Sequence, residues 1–439
     1  MRDAYSQWQA RSRAAVWHPC TQMKQHERMP PIPIARAQGA WLYDQRGARY
    51  LDAISSWWVN LFGHANPRIN AALTAQLGDF AHVMLAGFTH APVIELSERL
   101  AALAPPGLGH AFYGSDGASA TEIALKMSFH YWLAQGAKDK TRYVRLAGGY
   151  HGETIGALGV TDVALFRAPY GPLLRSNPVL PSPAVRGLAD LRSPEHAIDD
   201  ALAALGAYLR IDAATTAALI VEPLVQGAGG MAMYDARYLR GARELTQAHG
   251  VHLIADEIMT GFGRTGTMFA CEQAGITPDL LCLSKGITGG YLPLSCVLAT
   301  NAVFDAFYDD DIARGFLHSH SYTGNALACR AALAVLDIFR DEDVVAANRA
   351  TASRWRNIAA PLATRPRVRN LRQCGMIIAF DVASDRRGFA AWFSERAAGA
   401  ELLLRPIGNT VYFMPPYVTT DDEFALLVER TGAIVDECL

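Results

Sequence analysis

Lys285 closes the apolar run Leu280-Leu281-Cys282-Leu283-Ser284 and is followed by Gly286. It is the sole lysine after Lys140 in a chain with five lysines (Lys24, Lys126, Lys138, Lys140, Lys285) and 35 arginines. Surface cations here are arginines, so a lone lysine points to a task a guanidinium cannot do. A desolvated amine loses its proton and attacks a carbonyl to form a Schiff base. Spacing alone leaves that reading level with an ordinary strand-end lysine. A second group lies upstream, where Val251-His252-Leu253-Ile254-Ala255 ends in Asp256-Glu257. A third is Tyr113-Gly114-Ser115-Asp116-Gly117-Ala118-Ser119, which runs into the helix-forming Ile123-Ala124-Leu125-Lys126-Met127. Free N–H groups at a helix start attract an anion such as a phosphate. Taken alone, such a run is more often a plain N-cap.

The elements that must position these groups read as α/β. Residues 251–255 form a buried parallel strand with acids at its carboxyl end. A glycine-rich loop, Gly261-Phe262-Gly263-Arg264-Thr265-Gly266, and a short helical stretch around 269–274 lead to a strand over 280–283. Strand, crossover, strand in one parallel sheet puts Asp256 and Lys285 at one sheet edge, where open α/β sheets bind ligands. A Schiff-base lysine with an aspartate that keeps a pyridinium nitrogen protonated is the pair pyridoxal phosphate chemistry needs. Helices are expected over 93–104, 118–133 and 236–249, and strands over 217–221, 294–299 and 374–382. The proline-rich 178–194 section reads as a surface loop. A charged break at Arg340–Asp343 precedes a further helical stretch, and residues from about 335 onward read as a separate α+β unit.

Asp256-Glu257-x-x-Thr260-Gly261-Phe262-Gly263-Arg264-Thr265-Gly266, then Pro278-Asp279 and Ser284-Lys285-Gly286, resembles the signature of class III pyridoxal-phosphate-dependent aminotransferases. Tyr150-His151-Gly152, Glu222-Pro223 and Thr323-Gly324-Asn325 match in the same order. Trp17-His18-Pro19, Ser55-Ser56-Trp57-Trp58, Val225-Gln226-Gly227-Ala228-Gly229-Gly230-Met231 and Arg405-Pro406 are similar to the diaminopelargonic acid synthase branch of the class. That branch aminates 8-amino-7-oxononanoate with S-adenosylmethionine in biotin biosynthesis.

The resemblance implies a fold type I transferase. Its large α/β domain, residues 68–334, would hold a mixed, mostly parallel seven-stranded sheet. A smaller α+β domain would join residues 1–67 to 335–439. It implies a homodimer with shared active sites, acting on small molecules. It makes Lys285 the holder of pyridoxal phosphate and the proton shuttle, Asp256 the partner of the ring nitrogen, and Tyr150 a ring-stacking residue. Gly117 and Ala118 fall at its phosphate turn. Ser321, within His318-Ser319-His320-Ser321, stands where a threonine reaches the other subunit's phosphate, with His320 beside it at the cofactor and Ser319 at the substrate. Trp57 falls in the substrate pocket, with Trp58 packing the core, and Arg405 takes the substrate carboxylate. Arg264 either holds its loop or meets an acid, with Glu153 as the candidate.

Three departures stand out. Gln226-Gly227-Ala228 lacks the glutamate that gates an arginine in glutamate-using members, which disfavours that half-reaction. His320 replaces a common proline. Cys20 replaces a tyrosine that helps form the adenosylmethionine site, which leaves lysine as an alternative donor. The nearest rival is a broad ω-amine:pyruvate aminotransferase. An aminomutase, which shares this fold and moves an amine within one molecule, is a rival from another reaction class. A non-catalytic protein of the fold is disfavoured by intact Lys285 and Asp256.

Composition agrees with an enzyme acting on small molecules. The chain has 439 residues, 51% of them hydrophobic, and a formal net charge of −2. A length of this order favours two domains. No basic patch suggests nucleic acid, and no apolar stretch approaches a membrane span. The opening Met1-Arg2-Asp3-Ala4-Tyr5 has no signal-peptide core. Seven scattered cysteines (Cys20, Cys271, Cys282, Cys296, Cys329, Cys374, Cys438) suggest reduced thiols and the cytoplasm, and no spacing resembles a zinc site.

Overall fold

Thr216–Val221, His252–Asp256, Leu280–Leu283 and Ser295–Ala299 are buried along their whole length. Strands apolar on both faces need a layer on each side, and a central sheet between helices provides it. In the computed structural model, which describes residues 2–185 and 190–438, they are the middle of a seven-stranded sheet. Its order is His110–Gly114, Ser295–Ala299, Leu280–Leu283, His252–Asp256, Thr216–Val221, Arg142–Leu146 and Val179–Leu180. Ser295–Ala299 runs antiparallel to both neighbours, and the other pairings are parallel. The fold is the α/β arrangement expected. Asp256 pairs in register with Cys282, so the residues that follow both strands emerge at one edge.

The expected helices are found over Ala91–Leu103, Gly117–Ala134 and Ala236–Ala248. Asp116 caps the second of these, its carboxylate accepting from Ser119 N at 2.9 Å. The charged break ends the Ala326–Asp341 helix, and the next helix is Val344–Ala359.

Two expectations change. Residues 374–382 do not make one strand. Val368–Cys374 and Ile377–Val382 form an antiparallel hairpin that turns at Gly375 and Met376. Gly375 has φ +55°, and a Cβ there would collide with the backbone of Arg264 and Thr265. The 178–194 section contains the strand Val179–Leu180, and part of it lies outside the described residues.

A smaller sheet joins distant parts of the chain. Ile34–Gln38, Trp41–Asp44 and Arg49–Asp52 are antiparallel neighbours, and Leu402–Leu403 adds in parallel beside Arg49–Asp52. Among the described residues no helix is long and apolar enough to cross a membrane.

Candidate active site

A cavity of about 400 Å³ opens at the carboxyl edge of the large sheet. Lys285 and Asp256 both line it, with Gly117, Ala118, Tyr150, Trp57 and Cys20. The Leu280–Leu283 strand delivers Lys285, whose backbone lies in the left-handed region at φ +46°. A non-glycine residue held there stores strain, which collects at functional positions. Burial pushes the Lys285 ammonium down to about 8, against the opposing pull of the Asp256 and Glu222 carboxylates.

Asp256 is held from two sides. Its Oδ2 lies 2.7 Å from His151 Nδ1, and its Oδ1 accepts from Ile258 N at 3.1 Å. Glu222, in the cavity wall, accepts from Tyr150 N and from Gly227 N, each at 2.9 Å. Burial pushes its carboxyl up to about 7, with Asp256 adding to the rise. Tyr150 donates its hydroxyl to Glu153 Oε1 at 2.9 Å. Burial, then the Glu153 carboxylate, raise its phenol far above the usual range, so it stays protonated at any working pH.

The tryptophans sit on an unusual turn. Ser55, Ser56, Trp57 and Trp58 all have positive φ, at +52°, +46°, +76° and +75°. They make one left-handed helical turn, with Trp58 N donating to Ile54 O at 2.8 Å and Val59 N to Ser55 O at 2.9 Å, so the spacing rules of right-handed helices and strands do not apply. Both rings line the cavity. Trp58 is buried yet its ring centroid lies 4.5 Å from Lys285 Nζ, and its Nε1 donates to Tyr412 Oη at 3.0 Å. Trp57 is 40% exposed and lies under the Arg405 guanidinium at 4.7 Å. Arg405 Nη2 also donates to Cys20 O at 2.9 Å. Arg405 is not itself in the cavity wall, but it stands beside two residues at the mouth that are.

Arg264 does not meet Glu153 and does not line the cavity. Its guanidinium is buried, donating to Pro415 O (2.6 Å), Ser55 Oγ (3.0 Å) and Asn60 O (3.1 Å). It turns inward because Ser55 and Asn60 bracket the tryptophan turn and offer acceptors there, whereas Glu153 is occupied by Tyr150. Ser319 and Ser321 are exposed, and with His320 they lie outside this cavity. Sequence reasoning left out Trp58 as a wall, Glu222, Phe166, Ile258 and Met259, and His151 as the partner of Asp256. Glu222 stood in a noted motif, Glu222-Pro223, yet only the fold reveals its two N–H partners.

The profile of the Aminotransferase class-III family matches residues 22–435. The chain belongs to the class-III aminotransferases. This class-III aminotransferase is 46% identical over 431 residues to the adenosylmethionine-8-amino-7-oxononanoate aminotransferase of Helicobacter pylori, a match that covers 96% of each chain. Among solved structures it is similar to the enzyme of the same name from Methanocaldococcus jannaschii, at 32% identity and TM-score 0.92 over 99% of each chain. It is also similar to an amine transaminase from an uncultivated Pseudomonas species, solved in its PLP-bound form. That likeness has 35% identity and TM-score 0.90, over 97% of this chain and 99% of that one.

Proposed function

We propose that this aminotransferase moves an amino group onto the ketone of 8-amino-7-oxononanoate, giving 7,8-diaminononanoate, with pyridoxal phosphate as cofactor and S-adenosylmethionine as donor. One observation carries the reading: Lys285 and Asp256 share a cavity in a chain that matches, over nearly its whole length, relatives bearing that activity in their names.

The residues suit the cofactor. Gly117 has no room for a side chain, since a Cβ would stand 2.9 Å from Ile258 Cγ2. Asp116 takes the Ser119 N–H of the Gly117–Ala134 helix, and the N–H groups of Gly117 and Ala118 ahead of it are left to face a phosphate. Thr260 Oγ1, also in the cavity wall, is buried with no partner among the described residues. When bound, pyridoxal phosphate supplies an electron sink for charge developing at the substrate carbon.

The chain's own residues do the rest. Lys285 would hold the cofactor and, once released, its amine would carry the proton from the donor's amine-bearing carbon to the cofactor's C4′, and in the reverse sense for the acceptor. Asp256, its carboxylate aimed by His151, would keep a proton at the ring nitrogen. Tyr150, in the cavity wall, would stack on the cofactor ring. Trp57 and Trp58 wall the pocket for an aliphatic chain, while Arg405 at the mouth pairs with a carboxylate. Arg264 braces that wall from behind. Ser321, on the loop with Ser319 and His320, serves the phosphate of a second copy, so the active form is a homodimer with shared sites. Residues 68–334 hold the cofactor, and residues 1–67 with 335–439 form the second domain. Seven cysteines outside any disulfide suit the reducing cytoplasm.

Cys20 in the cavity wall keeps lysine open as the donor. The purified yellow enzyme is mixed with S-adenosylmethionine, and separately with lysine, while its visible absorbance is followed. Bleaching by one of them, reversed by 8-amino-7-oxononanoate, supports the reading and names the donor. Bleaching by small ω-amines alone, reversed by pyruvate, transfers the chain to the general amine transaminases.

A further inference from the structure

His320 stands outside the cavity, yet its ring is tied to the cavity's phosphate edge. His320 Nδ1 lies 3.1 Å from Ser115 Oγ. Ser115 follows the His110–Gly114 strand and precedes the helix that starts at Gly117. It is part of the turn that carries Gly117 and Ala118. The backbone of His320 is locked as well. Its N–H donates to Thr323 Oγ1 at 3.0 Å, and its carbonyl accepts from that hydroxyl at 2.8 Å and from Thr323 N at 3.1 Å. The carbonyl of Ser321 lies 2.8 Å from His82 Nε2. Residues 320–323 therefore move as one piece, joined to the phosphate turn by an imidazole.

We infer that His320 is a positioning residue that couples cofactor binding at the two sites of the dimer. The inference rests on the proposed reading, in which Ser321 reaches the second copy's phosphate. Through Ser115 and His320, the turn that grips one cofactor is joined to the loop that grips the other. Seating a cofactor in one subunit orders Gly117 and Ala118, and the link orders the loop that carries Ser321. The second site then binds with part of its ordering already done, which is positive cooperativity. One side-chain hydrogen bond corresponds to about a fivefold effect on the second dissociation constant.

The cofactor-free dimer is titrated with pyridoxamine phosphate, which binds without a bond to Lys285, and occupancy is read from tryptophan fluorescence. Expected is a second site about fivefold tighter than the statistical value. His320→Leu and Ser115→Ala should each make the sites independent, and the double variant should add no further loss. His320→Gln, which keeps a polar group toward Ser115, should restore part of the coupling. If His320→Leu does not fold, Ser115→Ala decides alone. Independent sites in the unsubstituted dimer, or cooperativity that survives both variants, overturns the inference. Ser321→Ala separates the two failures. If it weakens binding while His320→Leu leaves cooperativity intact, only the coupling falls. If it leaves affinity unchanged, the shared-site reading falls, and the coupling with it.

Discussion

Lys285 sits where burial works against its charge and two carboxylates work for it. The balance leaves the amine near 8, so a useful fraction is free base at physiological pH. In the cofactor-free protein, the pH dependence of Lys285 labelling by a small acylating reagent should show an apparent pKa of about 8. Asp256→Asn should lower it, because that carboxylate raises it. Lys285→Ala should cost about a thousandfold or more in turnover with the fold intact by circular dichroism. Glu222 carries a different consequence. Its value rises from 4.5 when free to about 7 in the fold. Its contribution to stability is therefore full below about pH 4.5 and is lost as pH rises through about 7. Urea denaturation at pH 5 and pH 8 should show Glu222→Gln with a smaller loss of stability between the two. Part of the slope should remain, since buried Glu257 is shifted the same way. Lys285 and Asp256 were legible in the chain because each follows an apolar run that must be a buried strand. Glu222 and Trp58 were not, because what they touch is settled by residues far away in sequence.

The tryptophan turn is held by its neighbours rather than by local preference. Asp52 accepts from Ser56 N and Ser56 Oγ at 2.8 and 2.7 Å, and Ser55 Oγ donates to Met414 O at 2.7 Å. Arg264 ties the same turn to Pro415. Arg264→Lys keeps a charge but loses the planar fork and strands buried acceptors. It should cost about 2–4 kcal/mol in urea denaturation and widen acceptance of bulky amines. Gly375→Ala should destabilise by about 1–3 kcal/mol, read as a fall in melting temperature, because its Cβ has nowhere to go. These elements show where pattern reading ends. The central strands and the three helices were legible from runs and periodicity. The hairpin strand Val368–Cys374 was not, since a bulge between Arg369 and Arg372 breaks its alternation. Four left-handed residues in a row, none of them glycine, have no signal in the sequence, because L-residues rarely adopt that hand.

At the scale of the molecule, apolar side chains lie open in two segments that touch through His82 and Tyr322, whose rings are 5.1 Å apart. Met84, Phe88, Leu317 and Tyr322 are 57%, 63%, 73% and 65% exposed, and a second copy seated on the shared-site loop would cover them. Gel filtration of active enzyme should give twice the chain mass, and elution as a single chain would remove the shared-site reading. The small sheet has one more consequence. Leu402–Leu403 lies beside Arg49–Asp52, so the last strand leaves the ribosome about 350 residues after its neighbour. At common synthesis rates that is tens of seconds. During that time Trp57 and Trp58 have no Met414 or Pro415 to anchor their turn. The aromatic wall is therefore among the last parts a nascent chain acquires, and a chain released early can pair its central strands while lacking the pocket they serve.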